Sequence, residues 1–288
     1  MSDFVILTDS SADLTPAIVE EFGLKVLPLT VFVDEKPYSN HYDHSELPIK
    51  EFYETLKAGA KVHTTAANVA DFLDFMRPIV EAGNDLLYLG FSSGLSSTYQ
   101  NGRNATLELA EEFPERKILA VDSLCASLGQ GLFVYLCCKK RESGATIEEC
   151  RDYAESIKNR IVHEFTVDDL GQLKRGGRIS AATALVGTML NIKPMLHVTP
   201  EGKLEACGKV RGRRAAINGL CEKIVAASAD SAETPLFISH GNCLDEAELL
   251  AKMISEKLPD KEIVIGPIGP VIGAHSGQGT LAAFVLKA

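Results

Sequence analysis

Residues 4–22 read FVILTDSSADLTPAIVEEF, and the order of residue types in this stretch decides the fold class. Residues 4–8 form a short apolar run that predicts a buried strand. Residues 9–13 supply turn and helix-capping side chains, and a helical pattern follows over residues 15–22. A strand, a loop and a helix in this order are typical of an α/β protein with a parallel sheet.

The same alternation continues through the first half of the chain. A polar loop is expected over residues 38–44, after which Ser45 can cap a helix. Strands with few polar positions, separated by helices, indicate a parallel sheet covered on both faces. The further elements predicted here are strands over residues 26–33, 86–91 and 117–121 and helices over residues 45–57, 68–80, 96–112, 126–141 and 146–160.

The second half has a different pattern. A turn at residues 200–202 joins two strand-like runs and predicts a hairpin. Strands are predicted over residues 161–167, 192–198, 203–210, 236–239, 262–265 and 280–286, and helices from Ser180, over residues 213–227 and over residues 245–257. We therefore expect two domains, an N-terminal parallel-sheet α/β domain (residues 1–160) and a C-terminal α+β domain with a mixed or antiparallel sheet (residues 161–288).

Composition excludes several classes of function. Lys and Arg number 29 against 39 Asp and Glu, a net charge of −10, so nucleic acid and anionic membrane surfaces are poor partners. The seven cysteines are an odd number without a CxxC spacing, which favours reduced thiols over disulfides or a zinc site. The N-terminal apolar stretch is too short for a signal peptide or membrane span. A cytoplasmic protein without a metal or cofactor is expected.

Ser96 is the first candidate binding residue, because it lies between a predicted strand and the helix that follows. The free amides of a helix start, with the positive end of the helix dipole, can bind a carboxylate or phosphate. A serine at this place can equally be a cap that binds nothing.

His275 is the second candidate. It lies between Gly273 and Gly277 in a predicted Gly-rich loop, whose backbone can approach a ligand closely. Its ring can donate to an anion or act as an acid or base. The six other histidines have no metal-ligand spacing and are expected to be structural or surface residues.

Two further patterns leave alternatives open. Residues 90–94 match the GxSxG nucleophile elbow of serine hydrolases, in which Ser92 would be the nucleophile and His275 the only candidate base.

The basic cluster of Lys174, Arg175 and Arg178 is either a solvated face or a docking patch for an acidic partner. A plain interaction module is a third interpretation, and it would contain no apolar tunnel.

In this order, the motifs resemble the DegV family of bacterial fatty-acid-binding proteins over essentially the whole chain. The resemblance implies two α/β domains that hold one long-chain fatty acid, such as palmitate, in a tunnel between them. It also implies a non-catalytic carrier that presents the acid to a separate fatty acid kinase, which makes an acyl phosphate. The matching stretches are residues 7–13, 92–99, 122–123, 173–180 and 209–212 and Gly273-Ala274-His275 with Gly277 and Gly279.

The resemblance also implies site residues. The carboxylate-binding Thr and Ser of the family fall on Thr64 and Ser96, and its glycine-flanked His falls on His275. Ser93, Arg175 and Arg178 are expected as supporting or docking residues, the two arginines because they form a basic cluster on an acidic protein. The family commonly has Lys-Thr-Ser-Gln-Pro around the Thr, whereas residues 63–67 here are His-Thr-Thr-Ala-Ala. The loop that holds Thr64 therefore lacks the Pro and the Gln amide.

Overall fold

The computed structural model describes residues 4–179, 191–228 and 234–287, which form three sheets with helices packed around them. The strands are β1 (Phe4–Asp9), β2 (Lys25–Leu27), β3 (Leu29–Val33), β4 (Lys36–Asn40), β5 (Val62–Thr65), β6 (Asp85–Gly90), β7 (Ile118–Asp122), β8 (Ile161–Thr166), β9 (Ile192–Val198), β10 (Leu204–Arg211), β11 (Leu236–His240), β12 (Ile263–Pro267) and β13 (Leu281–Leu286). The α-helices are α1 (Pro16–Phe22), α2 (Ile49–Lys57), α3 (Val69–Glu81), α4 (Thr98–Glu112), α5 (Leu128–Glu142), α6 (Ile147–Ile157), α7 (Leu170–Arg175), α8 (Arg213–Ala227), α9 (Leu244–Ser255) and α10 (Pro270–Ser276).

The first sheet, which we call the parallel sheet, has the strand order β2-β1-β6-β7, and each of its pairings is parallel. Its central strands β1 and β6 are buried along nearly their whole length, because helices cover both faces. The predicted α/β architecture of the first half is confirmed. The polar segments at the carboxyl ends of these strands all lie at one edge of the sheet.

A small antiparallel sheet, β4-β3-β5, corrects the prediction of one long strand over residues 26–33. Pro28 has no N–H to donate to a ladder, so β2 ends at Leu27 and β3 starts at Leu29 in a different sheet. The turn from β3 to β4 contains Asp34 and Glu35, both at positive φ, as two-residue hairpin turns require. The loop predicted over residues 38–44 is therefore partly strand β4.

Two helices begin later than predicted, so Ser45 and Ser96 are not their N-caps. The Ser45 hydroxyl donates to Asp43 Oδ1 over 2.7 Å, and α2 starts only after Pro48. Before α4, the backbone turns so that the amides of residues 95 and 96 both donate to the Ser92 carbonyl. This turn delays the helix to Thr98 and leaves Ser96 two residues before it.

The mixed sheet has the order β10-β9-β8-β13-β11-β12 and confirms the fold class predicted for the second half. Only β11 and β12 pair in parallel, and β9 and β10 form the predicted hairpin. The helix predicted from Ser180 lies outside the described residues. Strand β8 starts at Ile161, directly after a 3-10 turn over Lys158–Arg160. The division of the chain near residue 160 stays a prediction.

Helices α5 and α10 connect the two halves. Helix α5 belongs to the first half of the sequence but packs on β8, β11 and β13 of the mixed sheet. Helix α10 belongs to the second half but contacts β3 and β5 of the small sheet. All three sheets consequently face one shared interior space.

Candidate functional site

A cavity lies where the three sheets meet, and the atom-free space among its lining residues, which includes open solvent at the mouth, is about 860 Å³. Its wall is mostly apolar, with polar side chains concentrated near α10 and the start of α4. The apolar part of the wall is formed by Leu29, Ala66, Phe91, Leu95, Ala126, Phe165, Leu173, Val198, Leu204, Ile268, Val271, Ile272, Ala282 and Phe284. A mostly apolar cavity with a few convergent polar groups is the usual form of a small-molecule site.

Thr64 and His275 meet in the wall of this cavity although they lie 211 positions apart in the sequence. A hydrogen bond of 2.8 Å joins Thr64 Oγ1 to His275 Nε2. Thr64 is placed by the pairing of β5 with β3, where it lies opposite Val31. The structure thus brings two of the predicted site residues into direct contact.

The segment that carries His275 is not the loop that its glycines predict. It is the short helix α10, which begins with Pro270 at its first position and places His275 in its last turn. Burial lowers the pKa of the imidazole to about 4, and the nearby Arg178 charge acts in the same direction. His275 is therefore neutral at pH 7. Its Nδ1 is buried without a hydrogen-bond partner among the described residues.

Gly176 allows the backbone after α7 to pack closely against the His275 ring. A Cβ at this position would lie only 2.3 Å from His275 Nδ1, so a side chain there would displace the imidazole. One function of the predicted Gly-Gly pair after α7 is therefore close packing against His275.

Arg178 lines the same end of the cavity and is partly buried. Its guanidinium donates to the carbonyls of Leu95, over 3.1 Å, and of Gly176. Burial lowers the pKa of Arg178, and within the described ranges no carboxylate forms an ion pair with it. A partly desolvated cation whose hydrogen bonds go to carbonyls favours an anion beside it.

Ser96 also lines the cavity, as the sequence predicts, but with a different local role. Its Oγ lies 2.8 Å from Thr98 Oγ1 and accepts a hydrogen bond from the Thr98 amide at 3.2 Å. The hydroxyl therefore satisfies one of the free amides at the start of α4 and can still bond a ligand oxygen.

Ser93 and Arg175 are not part of the cavity wall. Ser93 is exposed, and its amide donates to Asp122 Oδ1 over 3.2 Å. Arg175 is exposed at the end of α7, three positions before Arg178 in the sequence. Of the residues predicted to support or dock a ligand, only Arg178 reaches the cavity.

Ser92, the serine of the GxSxG pattern, is used differently from a nucleophile. Its buried hydroxyl donates to the Gly202 carbonyl over 2.7 Å and accepts from the Gly94 amide. A nucleophilic serine needs a base within hydrogen-bond reach, and no histidine in the described part of the chain bonds Ser92. The hydrolase alternative gains no support.

His163 is a residue of the wall that the sequence interpretation missed. Its Nδ1 bonds the Ile161 carbonyl at 3.0 Å, and its Nε2 accepts from the Ala126 amide at 3.4 Å. It also packs edge-on against Phe284, with ring centroids 5.2 Å apart. No local sequence signal marks this wall, because β13, against which His163 packs, reads LAAFVL and is buried on both faces.

No group of three or more His, Cys, Asp or Glu side chains suited to a metal ion occurs among the residues that the structure describes. Within the same residues, no helix is both long enough and apolar enough to span a membrane.

A comparison with family models decides the relationship: the model of the DegV family matches residues 3–288. The chain belongs to the DegV family. A DegV domain-containing protein of Clostridium perfringens is 42% identical over 286 residues, which are 99% of this chain and 98% of that protein. The relationship therefore extends over both halves and includes every segment of the cavity wall.

Solved DegV structures share the fold. A structure described as fatty acid binding of a DegV family protein from Thermus thermophilus has a TM-score of 0.84 at 30% identity and covers 99% of this chain and 100% of its own. A DegV lipid binding protein from Thermotoga maritima has a TM-score of 0.85 at 27% identity, with full coverage of both chains. The mixed α/β architecture of this chain, with its parallel sheet and its separate mixed sheet, is thus the DegV architecture.

Proposed function

We propose that this DegV chain binds a long-chain fatty acid in the cavity, which forms a tunnel between two domains. In this proposal the carboxylate is bound by Thr64, Ser96, His275 and Arg178. The observation that carries the proposal is the Arg178 cation beside the Thr64–His275 bond, at one end of a mostly apolar cavity. The Thermus thermophilus relative, described as fatty acid binding, supports the same class of ligand.

The acyl chain provides the driving force. Burying about 14 methylenes at roughly 0.8 kcal/mol each gives about 11 kcal/mol before the costs of ordering and association. The apolar wall residues, from Leu29 on β3 to Phe284 on β13, are the surface that replaces water around the chain.

The carboxylate sets the orientation of the ligand. It loses its water on entry, so protein donors must replace those hydrogen bonds. The hydroxyls of Thr64 and Ser96 can each donate one, and Arg178 supplies the compensating charge. His275 holds the Thr64 hydroxyl in place and adds a ring donor when its pKa is raised by the bound anion.

The carrier part of the proposal is that the bound acid is presented to a separate fatty acid kinase, which forms an acyl phosphate. Two arginines at the head-group end support it, since Arg178 faces the cavity and Arg175 faces outward for docking. A cytoplasmic location belongs to the same proposal and is supported by seven free cysteine thiols.

The first test is the lipid content of the purified protein. We expect about one fatty acid per chain in an organic extract analysed by mass spectrometry, because an enclosed cavity retains its ligand. Delipidated protein should take up added palmitate, and Thr64→Ala should weaken that binding by about 2 kcal/mol because the buried carboxylate loses a donor. Thr30→Ala, on the neighbouring strand and outside the cavity wall, is the matched control. Protein that carries no lipid and binds no palmitate would overturn the proposal.

The second test concerns docking. With a fatty acid kinase, Arg175→Glu should slow acyl phosphate formation while leaving palmitate affinity unchanged, because Arg175 is outside the cavity wall. Arg151→Glu on α6 is a control for net charge. Equal rates for the wild type and Arg175→Glu would contradict the docking role.

A further inference from the structure

Cys207 is exposed, whereas the other six cysteines are buried or partly buried. It lies on the edge strand β10, where the pairing with β9 shifts between Ala206 and Gly208, so Cys207 is the extra residue of a β-bulge. A bulge changes the direction of its extra side chain relative to the regular alternation of the strand. The thiol is open to reagents from solvent, and it is not part of the cavity wall.

An ammonium group contacts this thiol. Lys223 on α8 places its Nζ 2.9 Å from Cys207 Sγ and 2.8 Å from Glu164 Oε2. Glu164 is buried on β8, so its carboxylate holds the lysine head group in place at the sulfur. The thiolate is the form of cysteine that reacts with peroxides, and a neighbouring ammonium ion stabilises its charge. Cys207 therefore combines the exposure and the neighbouring charge that make a cysteine susceptible to oxidation.

Cys243 is a useful comparison because it also lies beside a cation. Arg213 donates to Cys243 Sγ over 3.8 Å, and the thiol donates to the Thr280 carbonyl. Cys243 is only partly exposed, and a guanidinium does not lose its proton in a protein, so it cannot act as a nucleophile. Lys223 differs in this respect, because its amine can form a new bond once the ammonium has given up a proton.

The geometry also fixes the partner of an oxidised sulfur. Within the described ranges, the hydrogen-bonding neighbours of Cys207 Sγ are Lys223 Nζ and the Met195 carbonyl at 3.5 Å, and none of the other cysteines bonds it. A sulfenic acid condenses with a thiol or with a nitrogen nucleophile. A carbonyl oxygen cannot take this part, so the Lys223 amine is the group placed to react.

We propose that Cys207 and Lys223 are a modification site at which hydrogen peroxide forms a sulfenamide bond between the two side chains. The Cys207 thiolate attacks one peroxide oxygen, an S–O bond forms, and the O–O bond breaks. The leaving hydroxide takes a proton from the Lys223 ammonium and becomes water, so the sulfur is oxidised to a sulfenic acid and the peroxide is reduced. The free amine then attacks the sulfur and forms the N–S bond. The displaced hydroxide leaves as water with one proton of the amine.

This modification is independent of the proposed function, because neither side chain lines the cavity. The new bond would join β10 to α8, which pack against each other in the mixed-sheet half of the chain.

Peptide mapping by mass spectrometry tests the site on the full chain treated with hydrogen peroxide. We expect a pair of peptides joined through Cys207 and Lys223, with the mass of both peptides less two hydrogen atoms, and separation of the pair by dithiothreitol. Lys223→Arg keeps the charge beside the sulfur but removes the amine. The joined pair should therefore be lost in this variant, and dimedone should label the sulfenic acid at Cys207 instead. Lys252→Arg, at an exposed lysine in the last turn of α9, is the matched control and should leave the joined pair unchanged.

Three outcomes would overturn the proposal. The first is wild-type Cys207 that is oxidised by peroxide without any joined pair. The second is a joined pair that persists in Lys223→Arg, because another nitrogen must then have reacted. The third is oxidation of Cys243 as fast as that of Cys207. The wild-type map decides the question by itself where the variant does not fold.

Discussion

His275 and His163 line the same cavity, and burial lowers the pKa of both to about 4. They differ in their partners. Both ring nitrogens of His163 bond backbone groups, whereas His275 has Thr64 on one side and an unpartnered Nδ1 on the other within the described structure. A shifted pKa therefore does not identify a binding histidine. The hydrogen-bond partners distinguish the two rings, because a ring whose two nitrogens both bond backbone groups has no free nitrogen for a ligand.

The first way to test this contrast is thermodynamic stability. His163→Ala should lower the free energy of unfolding by about 3 kcal/mol, because it leaves a void against Phe284 and removes the partners of two backbone groups. Urea unfolding of the ligand-free protein measures it. His275→Ala should cost less than half as much, since its ring bonds only one side chain. Equal losses for the two variants would remove the distinction.

The second test is ligand affinity. Here we expect the larger effect from the change at His275 and the smaller effect from the change at His163. His275→Ala should weaken palmitate binding by about 2 kcal/mol, or roughly 30-fold, because Thr64 loses the group that orients its hydroxyl. Calorimetry on delipidated protein gives the value. His197→Ala, at a partly exposed histidine of the mixed sheet outside the cavity wall, is the control. Unchanged affinity in His275→Ala would place the carboxylate elsewhere.

The third test is the pH dependence of stability. A histidine with a pKa of about 4 in the folded state and 6.5 when unfolded binds fewer protons when folded, so its contribution is lost as the pH falls from 6.5 to 4. His163→Gln should reduce this acid loss by up to about 1.4 kcal/mol per pH unit, measured by urea unfolding at several pH values.

Asp13 provides a control for that test, because its contribution to stability changes with pH in the opposite direction. Its pKa is raised from 3.8 to about 7, so the folded state binds more protons and stability falls as the pH rises through this window. Asp13→Asn should therefore make stability rise more steeply with pH. His275→Gln should behave like His163→Gln in ligand-free protein only, because a bound carboxylate raises the His275 pKa again. The same effect with and without palmitate would argue against an anion at His275.

The sequence predicts the two sheet classes because their strands are marked locally, by apolar runs and by turns such as residues 200–202. It fails where a single residue redirects the chain. Pro28 divides one apolar run between two sheets, and Pro270 starts a helix in a segment whose glycines indicate a loop. In both places the backbone chemistry of proline outweighs the average pattern of its neighbours.

The sequence predicts the residues of the candidate site less evenly. Ser96 follows from its position after a strand, but no local pattern connects Thr64 with His275, and the DegV resemblance alone selects Thr64. Arg178 appears in the sequence as one member of a basic cluster, and only the fold separates it from the exposed Arg175. The wall opposite was missed because His163 has ordinary neighbours in sequence.

The bond between Ser92 and Gly202 has a kinetic consequence. It ties the edge of the parallel sheet to the turn of the β9–β10 hairpin, and Gly94 packs so closely on this turn that a Cβ there would lie 2.5 Å from the Glu201 carbonyl. Parting the parallel sheet from the hairpin requires this bond to break first. Ser92 is outside the cavity wall, so for the ligand proposed above we expect Ser92→Ala to alter exchange rates more than equilibrium affinity.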